Sequence, residues 1–351
     1  MKMFTKLALV SSMAISAHAM ALQSMDDAAL SATTGQDGIN IGIGISKVEI
    51  DRVLIHDNDG LATGATTPQG TTIVGGKGKA GAIVIGDPTN DSGSTAPTVK
   101  GIVITPNSGS LLTNGNLANL VIDTDAGTGN TGAGSTPTGT AFLNVAAEVS
   151  GLNINIGKIS VSGSNGAGSG AIAGTIRRGN DVANYNEILS GLTLTTGKMD
   201  ANIQLGATPQ GAMIILNTTM QGGLTLSNLG IKDNSTAAGA GTGVDLANRA
   251  AGEIHLDSIK VADASGANLT IDAKVSVVGK AGTNNGYLQI VTGTSATAKA
   301  SDIYIAGVHL GSAGANTSIG DVEVQGLQTY YNPTHTAGAD VKGSAITISG
   351  H

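Results

Sequence analysis

The residue types that could do chemistry are few and widely scattered. Two acidic doublets come first, Asp57 with Asp59 and Asp123 with Asp125. Alternate carboxylates lie on one side of a strand or converge in a turn, an oxygen cluster of the kind Ca2+ binds. Asp57-Asn58-Asp59-Gly60 has the opening of a calcium loop, but Pro68 stands at the twelfth position, where a bidentate Glu is needed. Both doublets are therefore expected to make turns. The five glutamates, Glu49, Glu148, Glu187, Glu253 and Glu323, are dispersed, and no segment gathers acid, base and Arg as a polysaccharide-cleaving groove would.

Past the N-terminal segment, His56, His255, His309, His335 and His351 show neither a His-x-His nor a His-Glu-x-x-His spacing. They are expected to be solvated strand or loop residues rather than metal ligands. Gly109-Ser110 lacks the flanks of a nucleophile elbow, and Gly163-Ser164-Asn165-Gly166 lies in a low-complexity stretch. Gly75-Gly76-Lys77-Gly78-Lys79 lacks the closing Lys-Ser/Thr of a phosphate loop. With no cysteine, the chain has no thiolate zinc site, thiol nucleophile or disulfide. No catalytic, cofactor or metal residue is assigned, no cofactor is expected, and the expectation is a non-enzyme. Tyr330-Tyr331, the one aromatic pair, reads as packing against the last strands, with a partner or glycan contact as the alternative.

The elements that would position these residues are strands. Ile39, Ile41, Ile43 and Ile45 alternate with Asn40, Gly42, Gly44 and Ser46, the period of a strand with one apolar face. A pattern aliphatic-x-aliphatic-x-x-aliphatic-x-aliphatic then recurs. It starts at Ile43, Ile154, Leu224, Ile254 and Ile303, and runs through residues such as Ile156, Ile159 and Val161. The extra central residue shifts the alternation by one, so the apolar side chains keep one side only if the chain bends or bulges there. The starts are irregularly spaced, which excludes a fixed-period array. Loops rich in Gly, Ser, Thr and Asn intervene, the longest at 57–72, 86–98, 124–140, 162–170 and 233–243.

The expected fold is all-β, an elongated irregular β-solenoid or stacked β-sheets, with a β-sandwich or prism as the alternative. A substitution such as Ile254, Leu256 or Ile259 to Asp is expected to place a charge in the core. Gly supplies 53 of 351 residues without a triplet period, so collagen is excluded, and 40% hydrophobic residues argue against a disordered tract. Two Phe and five Tyr are too few for the aromatic girdles of a membrane barrel or for base-stacking platforms. A formal charge of −7 without a long basic block speaks against nucleic acid, and Arg177, Arg178, Lys77 and Lys79 read as solvated turn charges.

At the N-terminus, Lys2 and Lys6 precede an apolar run from Leu7 to Ala17, followed by small residues at cleavage spacing. Residues 1–21 read as a signal peptide, too short to span a bilayer, and its loss of two lysines takes the charge from −7 to −9. Residues 22–36 read as a short helix, with Ser24 placed to cap it, Asp26 and Asp27 in its first turn and Gly35 to stop it. Residues 37–351 form the Gly-rich all-β region. No later segment reads as transmembrane, and export without cysteines suits a bacterial envelope.

The segment Leu22-Gln23-Ser24-Met25-Asp26-Asp27-Ala28-Ala29-Leu30, continuing to Gly35-Gln36-Asp37-Gly38-Ile39 and then alternating Ile and Gly, resembles the start of FilA-like pilus-system proteins of gammaproteobacteria. The resemblance implies a surface or extracellular role in a pilus-like system and carries over no catalytic residue. The expected function is that of an exported, non-enzymatic structural protein of a pilus-like or adhesive assembly, at the cell surface or outside the cell. Its partners would be itself, other envelope subunits or surface glycans. The alternative is a periplasmic or outer-surface binding module for glycans or envelope components.

Overall fold

The computed structural model describes residues 38–89, 99–127, 139–165, 176–234, 252–279, 286–293, 299–311, 318–334, 336 and 338–349. The signal segment and the short helix expected over 22–36 lie outside the described residues. Among those described, the regular elements are all strands. In chain order the first eleven are Ile39–Ile43 (β1), Val48–Ile50 (β2), Val53–Asp57 (β3), Gly81–Ile85 (β4), Ile102–Pro106 (β5), Ala118–Asp125 (β6), Phe142–Val149 (β7), Leu152–Ile156 (β8), Ile159–Ser164 (β9), Asn180–Leu189 (β10) and Leu192–Thr195 (β11). There follow Met199–Gly206 (β12), Ile214–Met220 (β13), Leu224–Asp233 (β14), Gly252–Asp263 (β15), Leu269–Gly279 (β16), Gly286–Thr292 (β17), Ser301–Leu310 (β18), Gly320–Leu327 (β19), Tyr330–Tyr331 (β20), Val341–Lys342 (β21) and Ser344–Ile348 (β22). No helix among them is long and apolar enough to cross a membrane.

The all-β expectation is realised as stacked sheets in which every pairing is antiparallel, and no sheet closes into a barrel. The first sheet has eight strands in the order β1-β6-β7-β12-β13-β16-β17-β22. The second is built of eight rows. Four are interrupted strands, β2 with β3, β5 with β4, β8 with β9 and β11 with β10, and four are the strands β14, β15, β18 and β19. The chain adds rows to both sheets in sequence order, crossing between them at short corners such as 150–151, 196–198 and 221–223. Each rung therefore leans on the one before it, the stacking logic of a solenoid carried out with hairpins.

The interruption between β8 and β9 falls where the recurring pattern places its extra residues, and the breaks in the neighbouring rows lie beside it. Residues 157 and 158 separate Ile156 from Ile159, and in β14 the chain turns at Asn228, whose φ is +58°, between Leu226 and Leu229. In β18 the equivalent place is Gly307, with φ +62°. Gly86 shows why glycine is needed along this line. Its φ is +116°, and an added Cβ would stand 2.8 Å from the Asp51 carbonyl oxygen. The copy starting at Ile43 differs, since its centre spans the corner from β1 to β2.

The bend keeps aliphatic side chains in register across whole sheets. Val48, Ile104, Ile154, Leu194, Leu226, Ile259, Ile305 and Val322 are successive cross-strand partners through eight rows. In the first sheet Ile39, Ile122, Val145, Ile203, Ile214, Val275, Ile290 and Ile346 do the same. Such same-face neighbours are the unit of sheet stabilisation. Interior members are half-buried, whereas the ends, Ile39 at 60% and Ile346 at 50%, are exposed.

Full burial of apolar side chains is rare. The buried apolar side chains among the described residues are Ala82, Val84, Ala147, Ala212, Met220, Ala262 and Ala273, and five of these are alanines. Buried polar groups close the corners. Ser150 Oγ accepts from the Leu112 amide at 2.9 Å and donates to the Asn116 carbonyl at 2.7 Å, while Thr196 Oγ1 accepts from the Leu152 amide at 3.0 Å. The expectation that Asp at Ile254 would enter a core needs correction. Ile254 lies near the start of β15, between Ile231 and Leu310 on the flanking strands, and is 46% exposed, whereas Leu256 and Ile259 are half-buried.

Candidate functional site

The first sheet presents its polar residues on the side opposite the aliphatic ladder, as strict alternation dictates. Cross-strand register lines up Gly42, Asn119, Glu148 and Asp200 on four neighbouring strands. Asn217 and Asp272 face each other on the next two strands. The row borders a groove of about 750 Å3, which also takes in Asn40, Asn116 and Asn202 but is otherwise lined mostly by aliphatic residues such as Ile41, Leu120, Val121 and Ile215. A second hollow of about 870 Å3 shares Asn119, Glu148, Asp200 and Asn217 and adds Lys198 and Lys299.

Amide side chains organise the groove walls. Asn119 Oδ1 accepts from Asn116 Nδ2 at 2.8 Å and from Asn114 Nδ2 at 3.0 Å. Asn144 Oδ1 accepts from Asn202 Nδ2 at 2.8 Å and from Gln204 Nε2 at 3.0 Å, and Asn202 also donates to Gln210 Oε1 at 2.8 Å. Gly42 leaves room for this wall, because an added Cβ would lie 2.6 Å from Asn116 Nδ2. Glu148 and Asp200 are direct cross-strand partners, and like charges so placed cost stability. Sheet rules are broken here, as functional surfaces break them. Rows of amides and carboxylates at strand spacing, ~4.8 Å, offer repeated donors and acceptors to a polyhydroxylated chain.

The second sheet brings together two of the histidines. His255 and His309 are cross-strand partners with ring centroids 6.1 Å apart. Both turn Nε2 toward Asp257 Oδ1, at 3.6 and 3.4 Å, and His255 Nδ1 stands 3.6 Å from Glu253 Oε1. Ser190 Oγ donates to that Glu253 oxygen at 3.1 Å. Their side chains are only 13% and 14% exposed, so they are not the solvated strand residues that spacing suggested. No group of three or more His, Asp or Glu among the described residues has metal-holding geometry.

Beside the β2–β3 edge a third hollow, about 510 Å3, is lined by Arg52, His56, Lys100, Arg177 and Arg178 together with Glu49 and Asp51. Arg52 donates to the buried Asn180 at 3.1 Å, Arg178 to Asn58 at 2.6 Å, and Lys100 to Asp51 at 2.6 Å. Arg178, half-buried, thus belongs to a basic wall rather than to a solvated turn, while Arg177 lines the same hollow and is exposed. Burial, reinforced by Arg178, pushes the His56 imidazole below its ordinary value. Across the same sheet Glu187 binds Lys158 at 3.0 Å and Lys232 at 2.7 Å. Burial alone would raise this carboxyl, but the two ammonium groups outweigh it and hold it low.

The remaining candidates are local. Asp57 Oδ1 accepts from the Gly60 amide at 3.2 Å, closing a turn, and Asp123 and Asp125 are exposed on β6. Tyr330 is exposed, and with Tyr331 it pairs to Val341–Lys342 in a separate two-stranded ribbon. Ser110 is buried at a corner, Ser164 bonds His56 at 2.8 Å, and His335 and His351 lie outside the described residues. The groove row was missed in the sequence because its neighbouring members Gly42, Asn119, Glu148 and Asp200 are 29 to 77 residues apart, although each occupies the polar face of an alternating strand.

A family model described as a family of unknown function (DUF6160) matches residues 1–100, a stretch that reaches from the N-terminus through β4. No curated protein and no solved structure gives a significant match to the chain.

Proposed function

We infer that the chain is an exported structural protein of the cell surface, a non-enzymatic component of a pilus-like or adhesive assembly. One observation carries this reading: rows accumulate in both sheets in chain order, and an apolar ladder runs through each from first row to last. Such a stack gains stability from length rather than from a central core, the economy of a rod-like element. Few aromatic and charged side chains suit an extended surface of weak, repeated contacts.

Immunogold electron microscopy of intact source cells tests the reading, with antibody to the β region and a gene-deletion strain as control. Gold along filaments that vanish in the deletion strain is expected. Label seen only after permeabilisation rejects it.

A second reading, an envelope binding module for glycans, is favoured by the Asn119–Glu148–Asp200 row on its open groove. It predicts that Asp200→Ala abolishes retention on an envelope polysaccharide column while leaving the fold intact. Unchanged retention, or no retention of the parent chain, removes it.

A further inference from the structure

We propose that copies of this chain join end to end by strand addition, β22 of one copy pairing antiparallel with β1 of the next. The inference rests on the assembly reading and specifies the joint. β1 and β22 are the two outer strands of the first sheet, at opposite ends of the row order. Neither carries a charged residue or a proline, the usual devices that keep sheet edges from pairing. The outer strands of the second sheet do carry charge, with Glu49 on β2 and Asp321 and Glu323 on β19.

Three features make a second copy the fitting occupant. The first is direction. With eight strands alternating antiparallel, β1 and β22 run oppositely, so a copy displaced along the stack presents β1 antiparallel to β22. In such a sheet each residue forms a hydrogen-bonded pair on one side and a non-hydrogen-bonded pair on the other. Seven successive pairings separate Ile39 from Ile346, so the two residues leave the same kind of pair open at their outer sides.

The second is the apolar ladder. It ends on Ile346 and begins on Ile39, and both are exposed while their inner neighbours are half-buried. Pairing Ile346 with Ile39 makes the ladder continuous and removes both ends from water. The third is charge. Arg52, Lys100, Arg177 and Arg178 outnumber Glu49, Asp51 and Asp57 beside the leading edge, while Asp321 and Glu323 stand on the trailing edge. That arrangement favours head-to-tail over head-to-head contact. A heterologous contact of this type does not close on itself, so the product is a filament.

The natural absence of cysteine makes the test direct. Register continued across the joint sets Ala345 opposite Asn40 and Ser344 opposite Ile41 of the next copy. One of these two pairs is the closer, non-hydrogen-bonded type that a disulfide can span. The full chain, expressed with its own leader, would carry Asn40→Cys with Ala345→Cys, or Ile41→Cys with Ser344→Cys, and be oxidised on cells and after purification. A reducible ladder of dimers, trimers and longer species is expected from one double variant, and nothing beyond a dimer from any single variant. Folded double variants that stay monomeric while immunogold still marks filaments overturn the joint and leave the assembly reading standing. Monomeric variants together with unlabelled cells overturn both.

Discussion

Replacing Asp263 tests how the corners hold the two sheets together. Asp263 ends β15, the chain turns through 264–268, and β16 begins at Leu269 in the other sheet. The carboxylate is buried and receives the Thr270 amide at 2.7 Å, the Thr270 hydroxyl at 2.8 Å and Lys299 Nζ at 3.2 Å. A hydrogen bond to a charged group contributes about 1.5–3 kcal/mol. The Lys299 pair, largely exposed at its ammonium end, adds about 0–1 kcal/mol. Removing the carboxylate also relieves its desolvation, so Asp263→Ala is expected to cost about 2–4 kcal/mol net. Asp263→Asn retains one acceptor for the Thr270 amide and is expected to cost about half as much.

The pH dependence gives the stronger check. Burial would raise the Asp263 carboxyl, but the Thr270 and Lys299 bonds outweigh burial and hold it below the ordinary carboxylate value. A depressed carboxyl stabilises the fold fully above its unfolded value, about 3.9, and loses that contribution as pH falls through the lower folded value. Urea denaturation followed by far-ultraviolet circular dichroism should therefore show the parent and Asp263→Asn far apart at neutral pH and converging in acid. Equal midpoints at neutral pH, or a gap that persists unchanged at the acid end, would refute the reasoning.

The other predictions concern the bend line and the ladders. Gly86→Ala forces a Cβ to within 2.8 Å of a backbone oxygen at φ +116°, and is expected to lower stability by about 2–4 kcal/mol in thermal melts. Ile259→Asp, half-buried inside an eight-row ladder, should cost about 2–4 kcal/mol, while Ile254→Asp, exposed near the start of β15, should cost under about 1 kcal/mol; equal losses in denaturant titrations would contradict the burial gradient. Glu187→Gln breaks two ion pairs at a nearly buried carboxylate and should cost about 1–3 kcal/mol at neutral pH, with the difference fading as pH falls below the ordinary Glu range.

The strands were legible because their signal is local. Ile39, Ile41 and Ile43 announce an apolar face within five residues, and the extra residue between Ile156 and Ile159 announces a bend. The turn role of Asp57 was legible for the same reason, since a side chain that bonds an amide three residues on is a short-range device. The histidine pair was not legible. His255 and His309 meet because β15 and β18 are neighbours, and nothing within either strand names the other. The charged groups followed the same division: Arg178 reads as a turn residue until its reach to Asn58, across 120 positions of sequence, is seen.

By itself the amino-acid sequence determined the class of this protein: aliphatic alternation of period two, small turn residues and too few aromatic or reactive side chains leave an all-β scaffold as the outcome. Only the tertiary structure decided the row order, the antiparallel hairpin stacking, the groove bordered by Glu148 and Asp200, and the uncharged outer strands at opposite ends. The physical reason is range. Alternation records which face of a strand meets water, and any apolar strand satisfies it, whereas the choice of neighbour depends on backbone bonds and side-chain ladders between segments far apart in the chain.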